Sequence, residues 1–347
     1  MSEEDSERIL VWGAGAIGGT IGAYLLRDGS DVTFVDVAAD HVQAIVERGL
    51  SITGPFGEFK VAAPAVTPDT LEGQWDTILL CTKAQHTAEA AKTLAPHLKP
   101  GGVVVSIQNG LNPLIINDHI SPQQVLGSFV NFGADYLEPG VVHYGGRGVV
   151  VIGEQNGEIT ERARQLHAML SHFEPDAILS PNVFGYLWSK LAYGALLFAT
   201  AVTNDSIADA LAQPGDRALY TELGREVMRV ALAHGVTPEA FNGFDPAAFL
   251  PSAGDAAAQQ SLDGMVAFNR RSAKTHSGIW RDLAVRKRRT EVDAQLGWVV
   301  HFGEQHGVPT PLTAKLVELI HQIEDGTREL GRENLTELRA LMLQEQA

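Results

Sequence analysis

The segment Gly13–Gly18, which reads Gly-Ala-Gly-Ala-Ile-Gly, constrains the fold of this chain more than any other feature. The apolar run 9–12 before it is typical of a buried strand, and apolar residues at helical spacing follow it. A second apolar run, 31–35, predicts another strand. Strand, glycine turn, helix and strand in this order predict a parallel β-α-β unit that opens an α/β domain.

In that setting the three glycines match the turn that binds dinucleotides. Gly13 permits a tight turn, Gly15 leaves room for a pyrophosphate, and Gly18 lets the helix pack closely on the sheet. The first backbone N–H groups of the helix then face the phosphates. The alternative is a tight turn that binds nothing. We assign six residues to cofactor binding: Gly13, Ala14, Gly15, Ala16, Ile17 and Gly18.

Asp36 follows the second predicted strand, 18 positions after Gly18, where a carboxylate accepts hydrogen bonds from the adenosine ribose hydroxyls. This carboxylate would repel a ribose 2′-phosphate, and residues 37–40 contain no arginine or lysine to bind one. The sequence therefore favours NAD(H) over NADP(H). The alternative role for Asp36 is to cap a helix that begins near Ala38.

The remaining pattern predicts a Rossmann dinucleotide-binding domain at 1–181, where strands and helices alternate, and an all-α domain at 182–347. Further strands are predicted at 77–81, 103–107 and 125–130, and the runs 141–144 and 149–152 are expected to extend the same sheet with mixed direction. Helices are predicted at 87–98, 183–211, 216–234, 290–306 and 311–323, and 241–258 is expected to form a loop or short helices.

The charge balance excludes a large class of partners. With 26 basic and 42 acidic residues, a net charge of −16, the chain lacks the basic surface of a nucleic-acid-binding protein. Cys81 is the only cysteine, so there is no intrachain disulfide and a reducing cytoplasm fits. The acidic first eight residues do not resemble a signal peptide. The apolar stretch 191–204 is shorter than the roughly 20 residues of a membrane span, so we expect a cytoplasmic protein without a membrane partner.

Two predicted strand ends carry candidate polar side chains, since ligands of open α/β sheets bind beyond the carboxyl ends of the strands. Lys83 follows the strand at 77–81 and is a candidate for binding cofactor phosphate or substrate carboxylate; an ordinary surface lysine is the alternative. Asn109 follows the strand at 103–107, and its position before Gly110 is equally typical of a turn.

The helical part contains two further candidates. Lys190 lies among apolar residues, so its ammonium either extends to the surface or stays desolvated with a lowered pKa, ready to donate a proton. Gly194 follows one turn later and leaves room for a neighbour. Glu291 comes after the basic run 286–289 and is either functional or a favourable charge in the first turn of a helix capped by Thr290.

Seven segments spread along the chain form one recognisable pattern: GAGAIGG at 13–19, TKAQ at 82–85, QNGLN at 108–112, PGVVHYGG at 139–146, LWSKLAY at 187–193, RTEVDAQLGWVV at 289–300 and GVPTP at 307–311. Together they resemble the ketopantoate reductase (2-dehydropantoate 2-reductase) family over nearly the whole chain. The resemblance implies a Rossmann domain, a helical domain and hydride transfer between a nicotinamide and a secondary alcohol or ketone. It also implies that Lys190 protonates the substrate carbonyl, that Glu291 hydrogen-bonds the substrate, and that Lys83 and Asn109 lie at the cofactor and substrate.

The chain departs from the family where the substrate is expected to bind. The family commonly has asparagines one and two turns after the lysine, where this chain has Gly194 and Phe198, and its serine corresponds to Gly278, with Ser277 beside it. The resemblance thus assigns all four positions to the substrate pocket. Losing two amides favours a bulkier substrate than ketopantoate, which the aromatic residues Tyr193 and Trp280 would fit unless they belong to the core.

The family also prefers NADPH and has a basic residue near the position of Asp36. We therefore predict an NAD-dependent oxidoreductase of the ketopantoate reductase type that acts on the CH–OH or carbonyl group of a small carboxylated substrate. We assign no metal ligand, and a homodimer is compatible with the sequence. The alternatives are an NADPH-dependent 2-dehydropantoate 2-reductase of pantothenate biosynthesis and a non-catalytic dinucleotide sensor, which needs neither Lys190 nor Glu291.

Overall fold

The computed structural model describes residues 7–271 and 275–345, and its internal contacts divide the chain into two compact units, Met1–Val183 and Phe184–Ala347. We call them the N-terminal and the C-terminal unit. The acidic segment 1–6, on which the expectation about export rests, lies outside the described residues. None of the helices described is both long and apolar enough to cross a membrane.

The N-terminal unit alternates strands and helices, as predicted. Its strands are β1 (Arg8–Trp12), β2 (Asp31–Val35), β3 (Leu50–Thr53), β4 (Phe59–Val61), β5 (Ala65–Val66), β6 (Trp75–Leu80), β7 (Leu98–Ser106), β8 (Val125–Val130), β9 (Gly133–Glu138), β10 (Val141–Gly146), β11 (Val150–Glu154) and β12 (Ile178–Leu179). Its helices are α1 (Ala16–Arg27), α2 (Ala39–Arg48), α3 (Thr87–Leu94), α4 (Asn112–Ile116) and α5 (Glu161–Phe173).

Eight strands form one sheet in the order β12-β11-β8-β7-β6-β1-β2-β5. Neighbours from β5 to β8 pair in parallel, while β11 runs antiparallel to β8, which confirms the mixed direction. Alternate residues of β1 lie in two apolar clusters on opposite faces: Ile9 and Val11 in one with residues of α1, Leu10 and Trp12 in the other with residues of α3. The sheet is therefore doubly wound, with both faces covered by helices.

A second sheet, in the order β4-β3-β10-β9, corrects one prediction. The run 141–144 does not extend the main sheet, because β10 pairs with β3 in parallel and with β9 in antiparallel direction. Val142 and Tyr144 of β10 are buried in the same apolar cluster as residues of α1. The apolar side of β10 thus packs over α1 as a separate layer.

The C-terminal unit is helical, which confirms the predicted class. Its α-helices are α6 (Val183–Ala201), α7 (Ile207–Ala212), α8 (Arg217–Ala233), α9 (Asp255–Arg271), α10 (Gly278–Trp280), α11 (Trp298–His306), α12 (Pro311–Glu324) and α13 (Arg332–Glu345). Two π-helical segments, Arg281–Arg286 and Asp293–Gly297, lie between α10 and α11.

Several helix boundaries differ from prediction for local reasons. The helix expected at 183–211 is interrupted after Ala201, because the Ser206 hydroxyl accepts the Asp209 N–H and caps a new helix, α7. The helix expected at 87–98 ends at Leu94, since β7 begins at Leu98. Within 241–258 there is a 3₁₀ turn at Pro246–Phe249, but the long helix α9 that follows was not predicted.

The glycine turn gives a direct test of the packing. A Cβ on Gly18 would lie 2.0 Å from the Gly13 carbonyl oxygen and 2.8 Å from Cβ of Cys81, whereas a Cβ on Gly15 would meet nothing within 4 Å. We therefore expect Gly18→Ala to lower the free energy of unfolding by about 3 kcal/mol, since backbone must move. Gly15→Ala is the matched control and should change it by less than about 0.5 kcal/mol in the same urea titration. Equal effects would contradict this packing.

Candidate active site

The glycine turn lies where the strand order reverses, between β1 and β6. Gly13 has a φ of +101° and its N–H donates to the Val35 carbonyl (2.7 Å), so the turn is fixed to the end of β2. A Cβ on Gly13 would lie 3.0 Å from the backbone N of Thr82, which places the loop after β6 against the turn. Ligands of doubly wound sheets bind at such a switch point.

The residues of the turn fit a pyrophosphate. Space above Gly15 is open, because an added Cβ there would meet no atom within 4 Å. The first turn of α1 carries neither a capping side chain nor an acidic residue. Its backbone N–H groups and the positive end of the helix dipole are therefore available to an anion.

Asp36 is tied to the turn by hydrogen bonds through both carboxylate oxygens. Oδ2 accepts the Ala14 N–H (2.9 Å) and Oδ1 accepts the Ala38 N–H (3.0 Å). The bond to Ala38 lies directly before α2, which begins at Ala39, so Asp36 also fixes the start of this helix and its role there stays compatible with cofactor binding. Each carboxylate oxygen has further lone pairs, so both remain able to accept from ribose hydroxyls.

His41 is a buried neighbour of the turn that the sequence pattern did not single out. Its Nδ1 accepts the Gly140 N–H (2.9 Å), which leaves the proton on Nε2 to donate to the Ala14 carbonyl (2.9 Å). The turn is thereby held from the second sheet as well. Nothing in the spacing of His41 indicates this contact, because Gly140 lies almost one hundred residues away in the chain.

The loops after β6 and β7 bring Lys83 and Asn109 to the same edge of the sheet, and both side chains are half-buried. A buried network joins the two loops: Nε2 of Gln108 donates to the Thr82 carbonyl (2.9 Å) and to Oγ1 of Thr87 (2.8 Å). Through Asn112, whose amide donates to the Asn109 carbonyl and accepts from Thr87, this network fixes the backbone at Asn109. Because this backbone is fixed, the Asn109 side chain extends from a defined position in the loop after β7.

In the C-terminal unit, Lys190 lies on α6 between the buried residues Trp188 and Leu191. Burial of the ammonium lowers the pKa of Lys190 to about 7, and the negative charge of Glu291 acts in the opposite direction. Lys190 as a whole residue is half-buried, and its lowered pKa favours the desolvated amine of the two possibilities left open by the sequence. Such an amine exchanges its proton near neutral pH, as a general acid or base requires.

Glu291 is positioned by a carboxylate that sequence reasoning missed. The buried side chain of Glu324 accepts the Thr290 N–H (2.7 Å) and the Thr290 hydroxyl (2.7 Å), and it pairs with Arg289 (3.0 Å). Thr290 also accepts the Val292 N–H (3.3 Å) at the start of the helical segment. The backbone on the amino-terminal side of Glu291 is therefore fixed to α12.

The basic run before Glu291 is largely neutralised within the protein. Arg286 and Arg288 both donate to Oδ1 of Asp282, at 3.0 and 2.9 Å. Arg289 pairs with Glu324 and Asp325. These guanidinium groups already hold carboxylates of the chain, which weakens the idea that one of them binds a substrate carboxylate.

The predicted substrate positions fall into two groups. Gly194 lies on α6 one turn after Lys190 and faces Gln295, while Phe198 is completely buried. Ser277 caps α10 by accepting the Trp280 N–H (3.1 Å), and a Cβ on Gly278 would meet nothing within 4 Å. Ser277 therefore has a structural role, whereas Gly278 borders open space.

The aromatic candidates Tyr193 and Trp280 also differ in their surroundings. The Tyr193 ring packs against Phe241 and Phe244, with centroids at 5.7 and 5.5 Å, and its hydroxyl hydrogen-bonds to Asn269. Tyr193 is thus half-buried, with its ring packed on two buried phenylalanines. The Trp280 ring lies 4.1 Å from that of His276, and its buried Nε1 has no hydrogen-bond partner among the described residues. In the described part of the chain, no three His, Cys, Asp or Glu side chains are grouped to hold a metal.

A dinucleotide turn on a doubly wound sheet and a desolvated lysine beside a glutamate define a nicotinamide-dependent oxidoreductase that acts on CH–OH groups. Two family models match the chain: ketopantoate reductase PanE/ApbA at residues 9–157 and its C-terminal part at residues 182–324. The chain therefore belongs to the ketopantoate reductase family.

Individual relatives agree with this assignment. The 2-dehydropantoate 2-reductase of Halobacterium salinarum is 28% identical over 317 residues, which are 90% of this chain and 97% of that protein. The PanE/ApbA family ketopantoate reductase structure from Ralstonia eutropha is 27% identical with a TM-score of 0.77, over 92% of this chain and 99% of that one. D-mandelate dehydrogenase with NADH and anilino(oxo)acetate has the same fold, with a TM-score of 0.80 and 24% identity over 92% of this chain and 98% of that one.

The charge of Glu291 is expected to set the titration of the lysine. Since Glu291 raises the pKa of Lys190 against the effect of burial, Glu291→Gln should move the titration midpoint of the amine from about 7 to a lower pH. The midpoint is measurable by competitive labelling of Lys190 with acetic anhydride across pH, read by mass spectrometry. Glu304→Gln, an exposed carboxylate on α11, is the control and should leave it in place. A midpoint unchanged or raised in Glu291→Gln would rule out this coupling.

Proposed function

We propose that this chain is an NADH-dependent oxidoreductase that interconverts a 2-oxo acid larger than ketopantoate and the corresponding 2-hydroxy acid. The observation that carries the proposal is the desolvated amine of Lys190, whose pKa of about 7 lets it either give or take a proton at neutral pH. The reduced nicotinamide supplies a hydride to the carbonyl carbon when it is bound. Lys190 supplies the proton that the resulting alkoxide oxygen needs, and its neutral form takes that proton in the oxidising direction.

Lys190, Glu291 and Asn109 are proposed to have further roles in the reaction. The ammonium of Lys190 stabilises the negative charge that develops on the substrate oxygen, which is worth most in a water-poor site. Glu291 keeps enough of the amine protonated despite its burial. Asn109, on a backbone held by Gln108 and Asn112, is proposed to orient the cofactor and substrate.

The preference for NADH rests on the fixed carboxylate of Asp36. Two backbone N–H groups hold this carboxylate in place, so it cannot swing away to admit a 2′-phosphate. The following residues 37–40 offer no cation to bind that phosphate. The carboxylate of Asp36 would repel the 2′-phosphate of NADPH, because both groups are negatively charged. The remaining lone pairs of that carboxylate can accept hydrogen bonds from the two ribose hydroxyls of NADH.

The preference for another substrate than ketopantoate rests on Gly194 and Phe198. Neither carries an amide that binds a hydroxyl or carboxylate, and each lost hydrogen bond to a charged ligand costs about 1.5–3 kcal/mol. The fold admits NADH together with anilino(oxo)acetate in D-mandelate dehydrogenase.

An NADPH-dependent 2-dehydropantoate 2-reductase is the second candidate. The relatives from Halobacterium salinarum and Archaeoglobus fulgidus, both named 2-dehydropantoate 2-reductase, favour its substrate. A cytoplasmic location, a homodimer and the lack of nucleic-acid or membrane partners remain predictions from the sequence.

Steady-state turnover of a panel separates the two candidates. Ketopantoate, phenylglyoxylate and short branched 2-oxo acids are each assayed with NADH and NADPH by absorbance at the nicotinamide band. We expect a non-ketopantoate acid with NADH to give the highest kcat/KM. Efficient reduction of ketopantoate with a preference for NADPH would overturn both the substrate and the cofactor proposals.

Asp36 gives a separate test of the cofactor preference. Asp36→Asn removes the charge and leaves one oxygen to accept a backbone N–H in place of two. Because the repulsion of the 2′-phosphate is lost, the ratio of kcat/KM for NADPH to that for NADH should rise by about 10- to 100-fold. Asp40→Asn, an exposed carboxylate in the first turn of α2, is the control and should leave the ratio nearly constant. If the two variants behave alike, Asp36 only holds the turn together.

A further inference from the structure

The side-chain amide of Gln295 is not used by the protein itself. The residue is only 9% exposed. Its side chain makes no hydrogen bond to any residue within 7–271 and 275–345. Its amide atoms are not among the fully enclosed, unpaired polar atoms of the described residues, so they border open space. A primary amide offers two donors and an acceptor, so this amide is available to a partner from outside the chain.

The position of this amide is set by the register of two helical segments. Gln295 comes four residues after Glu291, within the π-helical segment Asp293–Gly297, and Gly194 comes four residues after Lys190 on α6. Glu291 acts on Lys190 by its charge, and a Cβ on Gly194 would lie 3.4 Å from Oε1 of Gln295. Because Gly194 follows Lys190 by one turn of α6, the Gln295 amide contacts α6 about one turn from the residue that carries the amine.

Gly194 keeps this amide accessible. Apart from its chain neighbours and the nearby backbone of α6 itself, only Oε1 of Gln295 among the described residues lies within 4 Å of the place where a Cβ on Gly194 would be. A longer side chain at that position would fill the space in front of the amide. The glycine therefore leaves a polar recess whose wall is the Gln295 side chain, next to the proton donor.

We propose that Gln295 is a substrate-binding residue whose amide N–H groups donate to the carboxylate of the 2-oxo acid. No hydrogen bond to a described residue holds the amide with Oε1 toward Gly194, so a half-turn about its last bond exchanges Oε1 and Nε2 and presents the N–H groups to the recess. This rests on the proposed function, since it names the group that holds the substrate beside Lys190. The carbonyl and carboxylate of a 2-oxo acid are on adjacent carbons, so one molecule reaches both the amine and the amide. The recess also explains how the pocket binds an acid without the amides expected at the positions of Gly194 and Phe198.

A neutral amide suits this position better than a cation. A second positive charge near Lys190 would lower its pKa further and remove the ammonium at neutral pH. The arginines at 286, 288 and 289 already pair with carboxylates of the chain. The Gln295 amide carries no charge, so it can donate hydrogen bonds to an anion without lowering the pKa of Lys190. Unlike these arginines, it is not paired with a carboxylate of the chain.

The test compares Gln295→Leu with the wild type, using phenylglyoxylate and its methyl ester as substrates with NADH. We expect the KM for phenylglyoxylate to rise about 10- to 100-fold while kcat changes by less than about threefold, since the amide holds the carboxylate and not the reacting carbonyl. The preference for the acid over the ester should fall by a similar factor. Gln305→Leu makes the same change at an exposed amide on α11 and is the control.

Gln295→Glu keeps the size and introduces a repelling carboxylate, so it should lose more kcat/KM for the acid than for the ester. Thermal unfolding of both variants, with NADH affinity, shows whether they fold. An unchanged acid preference in folded variants would overturn the role of Gln295 and leave the proposed function standing. If the wild type reduces no 2-oxo acid of the panel with either nicotinamide, the proposed function fails and this assignment fails with it.

Discussion

The chemistry of this chain depends on a buried ammonium that one nearby carboxylate keeps able to carry its proton. Burial alone would leave the amine of Lys190 neutral, and full exposure would leave it charged at every physiological pH. The opposing effects of desolvation and of Glu291 bring its pKa to about 7. Glu291 has this influence because the adjacent Thr290 is held by the buried carboxylate of Glu324. The helical unit thus determines the pKa of the Lys190 amine.

In the N-terminal unit, side chains from elsewhere in the chain likewise fix the backbone of the glycine turn. Asp36 and His41 each bond to the backbone of Ala14, from the end of β2 and from helix α2 respectively. Gly13 adds a bond to Val35. A turn fixed at three points presents its free N–H groups in one arrangement, which suits the binding of a rigid anion. The carboxylate that fixes the turn is also the group proposed to select the cofactor.

Sequence patterns predicted the features that depend only on residues close together in the chain. The β-α-β unit, the mixed direction of the main sheet and the helical class of the second unit follow from runs of a few neighbouring residues, and the structure confirms them. The pairing of β10 with β3 joins segments about ninety residues apart, so its sheet could not be assigned from either segment. The lowered pKa of Lys190 was left open for the same reason, since Glu291, the charge that acts on it, lies about one hundred residues away in the sequence. His41, Glu324 and Gln295 were missed because their roles depend on partners that only the folded chain brings near.

The most direct test of the account is the rate of hydride transfer in a single turnover, followed by stopped flow in both directions across pH. With the 2-oxo acid that turns over best and NADH, the wild type should lose rate as pH rises through about 7, because the ammonium is the active form. With the corresponding 2-hydroxy acid and NAD, it should gain rate over the same interval. Lys190→Met should be slow and lack this dependence in both directions. Equal pH profiles for the wild type and Lys190→Met, with comparable rates, would contradict the central role of the buried amine.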